Sequence, residues 1–224
     1  MSDLNFIREI DEEVRRDQML KLWQRHGNSI IGLVVLIVLA TAGWRGWQWY
    51  ENRESAKAGA RYEQALELSQ GGKQAESEQA LAEIVKNAPS GYRMLAKLRL
   101  AAETGKTNAA AGVKAYDEIA ADSSVDPLFR DIARLRAAYL LVDNAPPSEI
   151  ASRVEPLTGA SAPFKNSAKE ALALSYFRAG DKAKARALYT EILADPQVTS
   201  ALAGRAQMMQ ALTAEGAAQP AKTQ

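Results

Sequence analysis

His26 is the one histidine of the 224-residue chain, and cysteine is absent. Zinc sites and Ser-His-Asp triads need imidazole or thiolate, because these groups bind a metal or move a proton near neutral pH. A single imidazole just ahead of an apolar segment supplies neither chemistry and reads as a basic flank residue. A phosphate-cradling loop sets glycines at fixed spacing between a strand and a helix, and Gly71-Gly72-Lys73 lacks both the spacing and the strand. The carboxylate pairs Glu76/Glu78 and Asp117/Glu118 have the composition for acid–base work, yet they fall in helix-forming stretches on faces expected to be solvated. No catalytic, cofactor-binding or metal-binding residue is nominated, and the chain reads as a non-enzyme.

Charge narrows the partners further. Lys and Arg number 28 against 27 Asp and Glu, for a net charge of +1. No field exists to hold nucleic acid, and the mixing of signs along the chain describes a solvated helical surface. With no thiol, disulfides are excluded, and the fold suits either redox compartment. Neither a cofactor nor a small-molecule substrate is expected.

Residues Ile30 to Trp44 form the one stretch free of charge and strong hydrogen-bonding side chains. Extended to 28–47 it reaches roughly 20 residues, the length a helix needs to cross about 30 Å of hydrocarbon. Trp44, Trp47, Trp49 and Tyr50 follow at one end with Arg45 among them, the residues expected at a headgroup boundary. A cleaved leader is the first alternative, since Ala40-Thr41-Ala42 has small residues at the right places. Against it, six acids stand beside five bases in the 29 residues before the span, where leaders are short and net positive. A buried soluble helix is the second, opposed by the all-round apolar surface. Basic residues near the two ends of the span tie. Lys21 and Arg25 in the short N-terminal flank favour a cytoplasmic N-terminus, because a long following domain translocates largely regardless of its charge.

Beyond Tyr50 the sequence is rich in Ala, Leu, Glu, Lys and Arg, the strong helix formers, with no convincing alternation of β-branched residues. Gly and Pro clusters cut it into pieces of helical-hairpin length, and Asp126-Pro127 and Ala162-Pro163 read as helix starts. The segment 51–70 has no breaker ahead of it, so it continues the preceding helix. Leu128, Ile132, Leu135, Ala138, Tyr139 and Val142 make one apolar stripe, and Leu172, Tyr176, Leu188 and Ile192 another, both expected as core. The stretch 166–196, NSAKEALALSYFRAGDKAKARALYTEILADP, resembles a tetratricopeptide repeat, the roughly 34-residue helix–turn–helix unit. Weaker copies lie at 60–89 and 92–122, which gives three units plus a final helix over 199–214. Stacked hairpins line a concave face with their first helices. Arg93, Arg99, Arg134, Arg136 and Tyr139 are the candidate partner-contacting residues there, the alternative being ordinary solvated arginines.

The expected organisation is all-α: an amphipathic cytoplasmic segment (1–27, with Phe6, Ile10 and Val14 four apart), a transmembrane helix (28–49), a helical-repeat domain (50–214) and a disordered tail (215–224). The layout resembles the YfgM-type ancillary subunits of the SecYEG translocon, whose domain is tetratricopeptide repeat-like. The resemblance is carried by Gly43-Trp44-Arg45-Gly46-Trp47 at the end of the span and by the GDKAKAR turn at 180–186. The N-terminal FIREIDEEVRRDQMLKLWQRHG is similar to alphaproteobacterial members. It implies a bacterial inner-membrane protein with a periplasmic domain. Its partners would be the translocon, periplasmic chaperones and exported clients, besides the lipid bilayer. An envelope scaffold with unrelated protein partners is the alternative function.

Overall fold

The computed structural model describes residues 3–215, with side chains described at residue 28 and over 31–214. Among them the regular structure is helical throughout, with no strand: α1 (Asp3–Gln70), α2 (Gln74–Asn87), α3 (Ser90–Thr107), α4 (Ala109–Ala121), α5 (Pro127–Leu141), α6 (Pro147–Val154), a 3-10 turn (Glu155–Leu157), α7 (Lys165–Arg178), α8 (Lys182–Ala194) and α9 (Ser200–Glu215). The chain divides into two units, residues 1–56 and 57–224.

In the first unit, residues 31–50 of α1 are exposed on every side. It is the one helix among the described residues long and apolar enough to cross a bilayer, and none of its apolar window is buried by protein. Thr41 Oγ1 donates to the Ile37 carbonyl at 2.7 Å, so the hydroxyl within the apolar run is satisfied on its own helix. Trp44, Trp47, Trp49 and Tyr50 are all exposed. At about 100° per residue they spread around the helix axis as a girdle rather than a stripe. The Arg53 guanidinium lies 4.8 Å from the centre of the Trp49 ring. The amphipathic face expected over 1–27, the flanking role of His26 and the tail over 215–224 fall on side chains outside the described residues.

The second unit is an array of hairpins in which each helix packs on its sequence neighbours, and α3, α5, α7 and α9 also touch in succession. Four apolar clusters follow one another, formed by α1–α2–α3, α3–α4–α5, α5–α6–α7 and α7–α8–α9. Each odd helix between the ends is therefore shared by two clusters and must be small where its neighbours press closest. Ala65, Ala101, Ala137 and Ala173 recur at a constant 36-residue interval, each at most 1% exposed. The even helices, with the 3-10 turn after α6, are buried at i, i+4 and i+7 and supply the bulk mostly at the last two: Ser77, Leu81 and Ile84; Gly112, Tyr116 and Ile119; Ile150, Val154 and Leu157; Ala185, Tyr189 and Ile192. All twelve are buried.

This makes four hairpins and a closing helix, where the sequence spacing suggests three. The hairpin hidden from the pattern is α5–α6. Its second helix has only eight residues, and Pro156 turns the chain into the 3-10 segment that carries Leu157 into the core. Its large residue comes first (Ile150) and the smaller one second (Val154), inverting the order of the other three.

Helix ends follow the backbone chemistry of Gly and Asp. At the end of α7, Gly180 has φ +85°, its N–H donates to Phe177 O at 3.1 Å, and Asp181 N–H donates to Tyr176 O at 2.9 Å. Asp181 then caps α8 by accepting from Lys184 N–H at 3.1 Å. One Gly-Asp pair thus stops one helix and starts the next. Gly72 ends α1 with the same double bond pattern, which accounts for Gly71-Gly72-Lys73 as a turn. Asp126 caps α5 through Leu128 N–H at 2.8 Å, with Pro127 in the first turn as expected. Pro163 does not open its helix: α7 begins at Lys165, after a turn closed by Lys165 N–H on Ala162 O. The α5 stripe also divides. Leu135, Ala138 and Val142 are core, whereas Leu128 is 46% exposed, and Ile132 and Tyr139 line open cavities. The second stripe is core throughout, with Ile192 buried and Leu172, Tyr176 and Leu188 packed against the clusters.

The close approach of α3 and α4 sets up a paired test. A Cβ on Gly112 would stand 2.5 Å from Gly105 Cα and 3.0 Å from Ala101 O, both backbone, whereas a Cβ on Gly105 would meet the movable Leu140 Cδ1 at 2.9 Å. Gly112→Ala is therefore expected to cost about 1–3 kcal/mol by forcing α3 and α4 apart. Gly105→Ala stays close to the parent, because helix propensity worth up to ~1 kcal/mol offsets the shift of Leu140. Thermal melts of the detergent-solubilised full chain decide, and equal losses would contradict the backbone contact.

A second test concerns Asp195, which accepts from Lys165 Nζ at 2.8 Å, Gln197 N–H at 2.8 Å and Asn166 Nδ2 at 3.1 Å. The Lys165 bond leads in holding its carboxyl down to about 2. A depressed carboxyl stabilises the fold above its unfolded value, about 3.9, and loses that contribution as pH falls towards 2. Asp195→Asn should melt below the parent at pH 7, and the gap should close between pH 4 and pH 2. A gap independent of pH would refute the assignment.

Candidate functional site

The odd helices keep one face free of both core clusters, and along that face runs a groove. Between α5, α7 and α9 it opens into a cavity of about 800 Å³. Its apolar lining is Ile132, Leu135, Phe164, Leu174, Met208 and Met209; its polar lining is Arg136, Tyr139, Ser167, Glu170 and Arg205. A second cavity of about 250 Å³ lies between α3 and α5, lined by Tyr62, Leu95, Leu98, Arg99, Ala102 and Tyr116. Ile132 and Arg136 line both, so the two cavities meet at α5. Leu95 and Met208 are large apolar residues left exposed on this face, Met208 by 67%.

Two buried carboxylates fix the charged parts of the groove. Glu170 on α7, 5% exposed, receives Arg205 Nε at 2.7 Å and Nη2 at 3.0 Å from α9, and Tyr139 Oη at 2.7 Å from α5. One carboxylate thus ties three successive odd helices together. Burial first, then the Glu170 hydrogen bond and charge, push the Tyr139 phenol far above its ordinary value, so it remains a donor. Glu103 on α3 is fully buried, with Arg99 Nη2 at 2.6 Å and Lys106 Nζ at 2.7 Å. Burial works against its charge, but hydrogen bonds from Lys106, Ser69 and Gln74 and the Arg99 charge outweigh it and hold the carboxyl below its usual range. Removing one partner of such a pair leaves an uncompensated charge in the protein, which is why both anions are multiply bonded.

Of the five residues expected on the concave face, the structure brings three together: Arg99, Arg136 and Tyr139 share the groove. Arg93 donates to the Ala88 carbonyl at 3.0 Å and lines a separate cleft with Ser90, Met94 and Phe129. Arg134 pairs with Asp131 at 2.7 Å and lines another cleft with Asp117 and Arg153. Glu170, Arg205, Met208 and Phe164 escape the sequence pattern. The available signal is Glu170, a lone carboxylate inside the apolar run of α7. Three of the four carboxylates weighed for acid–base chemistry have ordinary partners: Glu76 with Lys73, Glu78 with Gln74, and Asp117 with Arg153 at 2.6 Å. Among the described residues no three of His, Cys, Asp and Glu gather as a metal site. The arrangement presents an apolar cleft with guanidinium groups in its wall, suited to holding a polypeptide segment.

No curated protein and no solved structure matches the chain. The family model for the tetratricopeptide repeat-like domain matches residues 21–215, taking in the apolar segment and every helix after it. Helical-hairpin domains of this kind are typically non-catalytic modules for protein–protein interaction, and the 36-residue alanine interval is the same repeat seen in the packing. With nearly its whole length covered by that match, the chain belongs to the tetratricopeptide repeat-like domain family.

Proposed function

We propose that this protein is a membrane-anchored interaction module that serves the Sec translocon and periplasmic chaperones and assists newly exported proteins. Residues 28–49 form the anchor, 1–27 the cytoplasmic flank and 50–214 the periplasmic domain of an inner-membrane protein. The observation that carries the reading is the fully exposed apolar stretch of α1 closed by a girdle of three tryptophans and a tyrosine. An apolar surface of that size left in water is an aggregation hazard, while in lipid it is at its lowest free energy. The match over 21–215 supports it as well, because anchor and repeats fall within one family unit.

In this reading Trp44, Trp47, Trp49 and Tyr50 sit at the headgroup layer, with Arg45 reaching outward along its own stem. The groove around Arg99, Arg136 and Tyr139 receives the partner. Confinement beside the translocon raises the effective concentration of exported segments, so modest affinity for each suffices.

Membranes from cells expressing the full chain test the anchor and its direction together. The protein is expected to resist carbonate extraction, and protease added to intact spheroplasts should remove the helical domain. A domain protected until lysis places it in the cytoplasm and ends the translocon reading. A photoreactive residue substituted for Met208 should crosslink to translocon subunits in the same cells. Crosslinks confined to other envelope proteins would favour a scaffold with unrelated partners.

A further inference from the structure

The larger cavity is electrically unbalanced. Arg205 is neutralised by Glu170 through two hydrogen bonds, and in the adjoining cavity Arg99 shares Glu103 with Lys106, so the balance there is positive as well. Arg136, at the junction, is exposed and makes no hydrogen bond or ion pair among the described residues. Arg136 and Arg205 line the larger cavity together with Tyr139. Around them the lining is Leu135, Phe164, Leu174 and the two methionines.

An occupant therefore needs two things: apolar side chains for the wall and a carboxylate for Arg136. A basic occupant would bring like charge into a partly desolvated cleft, where electrostatic terms are stronger than in water. At about 800 Å³ the cavity takes the side chains of a short segment rather than a folded domain. Exposed Met208 suits apolar partners of varied shape, because the unbranched thioether adapts its rotamers.

We propose that the cavity between α5, α7 and α9 docks acidic amphipathic segments of other polypeptides, with aliphatic or aromatic side chains against Met208, Phe164 and Leu174 and a carboxylate on Arg136. This rests on the interaction-module reading above and adds the chemistry of the segment recognised. A bidentate carboxylate–guanidinium contact selects acid over amide, and the apolar wall selects against fully polar acidic chains.

The test uses the full chain in phosphatidylcholine nanodiscs and three labelled helical peptides of about 15 residues, roughly four turns. One carries a Leu/Phe face with flanking Glu, one replaces Glu by Lys, and one replaces the Leu/Phe face by Ser. Fluorescence anisotropy should rank the Glu peptide about tenfold tighter than either relative. Arg136→Gln should weaken the Glu peptide about tenfold without weakening the Lys peptide, and Met208→Ser should weaken both peptides that keep the apolar face. Both substitutions are at exposed positions, and unchanged thermal melts verify the fold. Equal binding of the Glu and Lys peptides, or indifference to Arg136→Gln, overturns the proposal. So does displacement of the Glu peptide by anionic lipid vesicles, or self-association of the chain that the Glu peptide does not inhibit. Should Met208 still crosslink to the translocon while the Glu peptide fails, the acid chemistry falls and the interaction role stands. A bound Glu peptide without any translocon crosslink does the reverse: the acid chemistry stands and the translocon role falls.

Discussion

Double burial of the odd helices governs this fold. A helix pressed by one cluster can use leucine and phenylalanine freely, but α3, α5 and α7 are pressed by two at once. Ala101, Ala137 and Ala173 bring the neighbouring hairpins close enough for the bulky even-helix residues to interlock. Where the approach is tightest alanine itself is too large, and Gly112 lies against Gly105. Close packing of this kind transmits a single added methyl to the backbone. It also occupies two of the three available faces of each odd helix, so any functional chemistry on those helices must appear on the third.

That third face explains why charged groups sit so deep. Glu170 is placed where three odd helices converge and Glu103 is ion-paired within α3, and neither tolerates burial unless neighbouring side chains bring cations and hydroxyls to it. Tyr139 from α5 and Arg205 from α9 close on Glu170, while Arg99 and Lys106, about one turn to either side on α3 itself, close on Glu103. An apolar substitute could hold these helices as firmly, but it would not fix the orientation of Tyr139 and Arg205 at the cavity wall.

Much of the fold is legible from local chemistry. Asp126-Pro127 and Gly180-Asp181 announce their helix ends because capping depends on a few adjacent atoms. The apolar run of α1 is legible for the same reason, since length and composition alone set it. The α5–α6 hairpin is not, because a proline-shortened helix and a 3-10 turn shift Leu157 out of helical phase while delivering it to the same place in the core. The groove is the least legible. Arg93, Arg99, Arg134 and Arg136 look alike in sequence, and only the rotation of α3 and α5 about their axes separates the two that reach the groove from the two that do not. Glu170 and Arg205 stand 35 residues apart, a distance at which only the repeat period makes them neighbours.

The array has an asymmetry at its end. Among the described residues α9 packs on α7 and α8 alone, whereas α5 packs on α3, α4, α6 and α7. In a structure stabilised by nearest neighbours, an element with fewer packed neighbours opens at a lower free energy than one held on more sides. Yet α9 supplies Arg205, Met208 and Met209 to the cavity. The side of the cleft that carries the two methionines is therefore the more yielding one, and the paired bonds from Arg205 to Glu170 are what fasten it to α7.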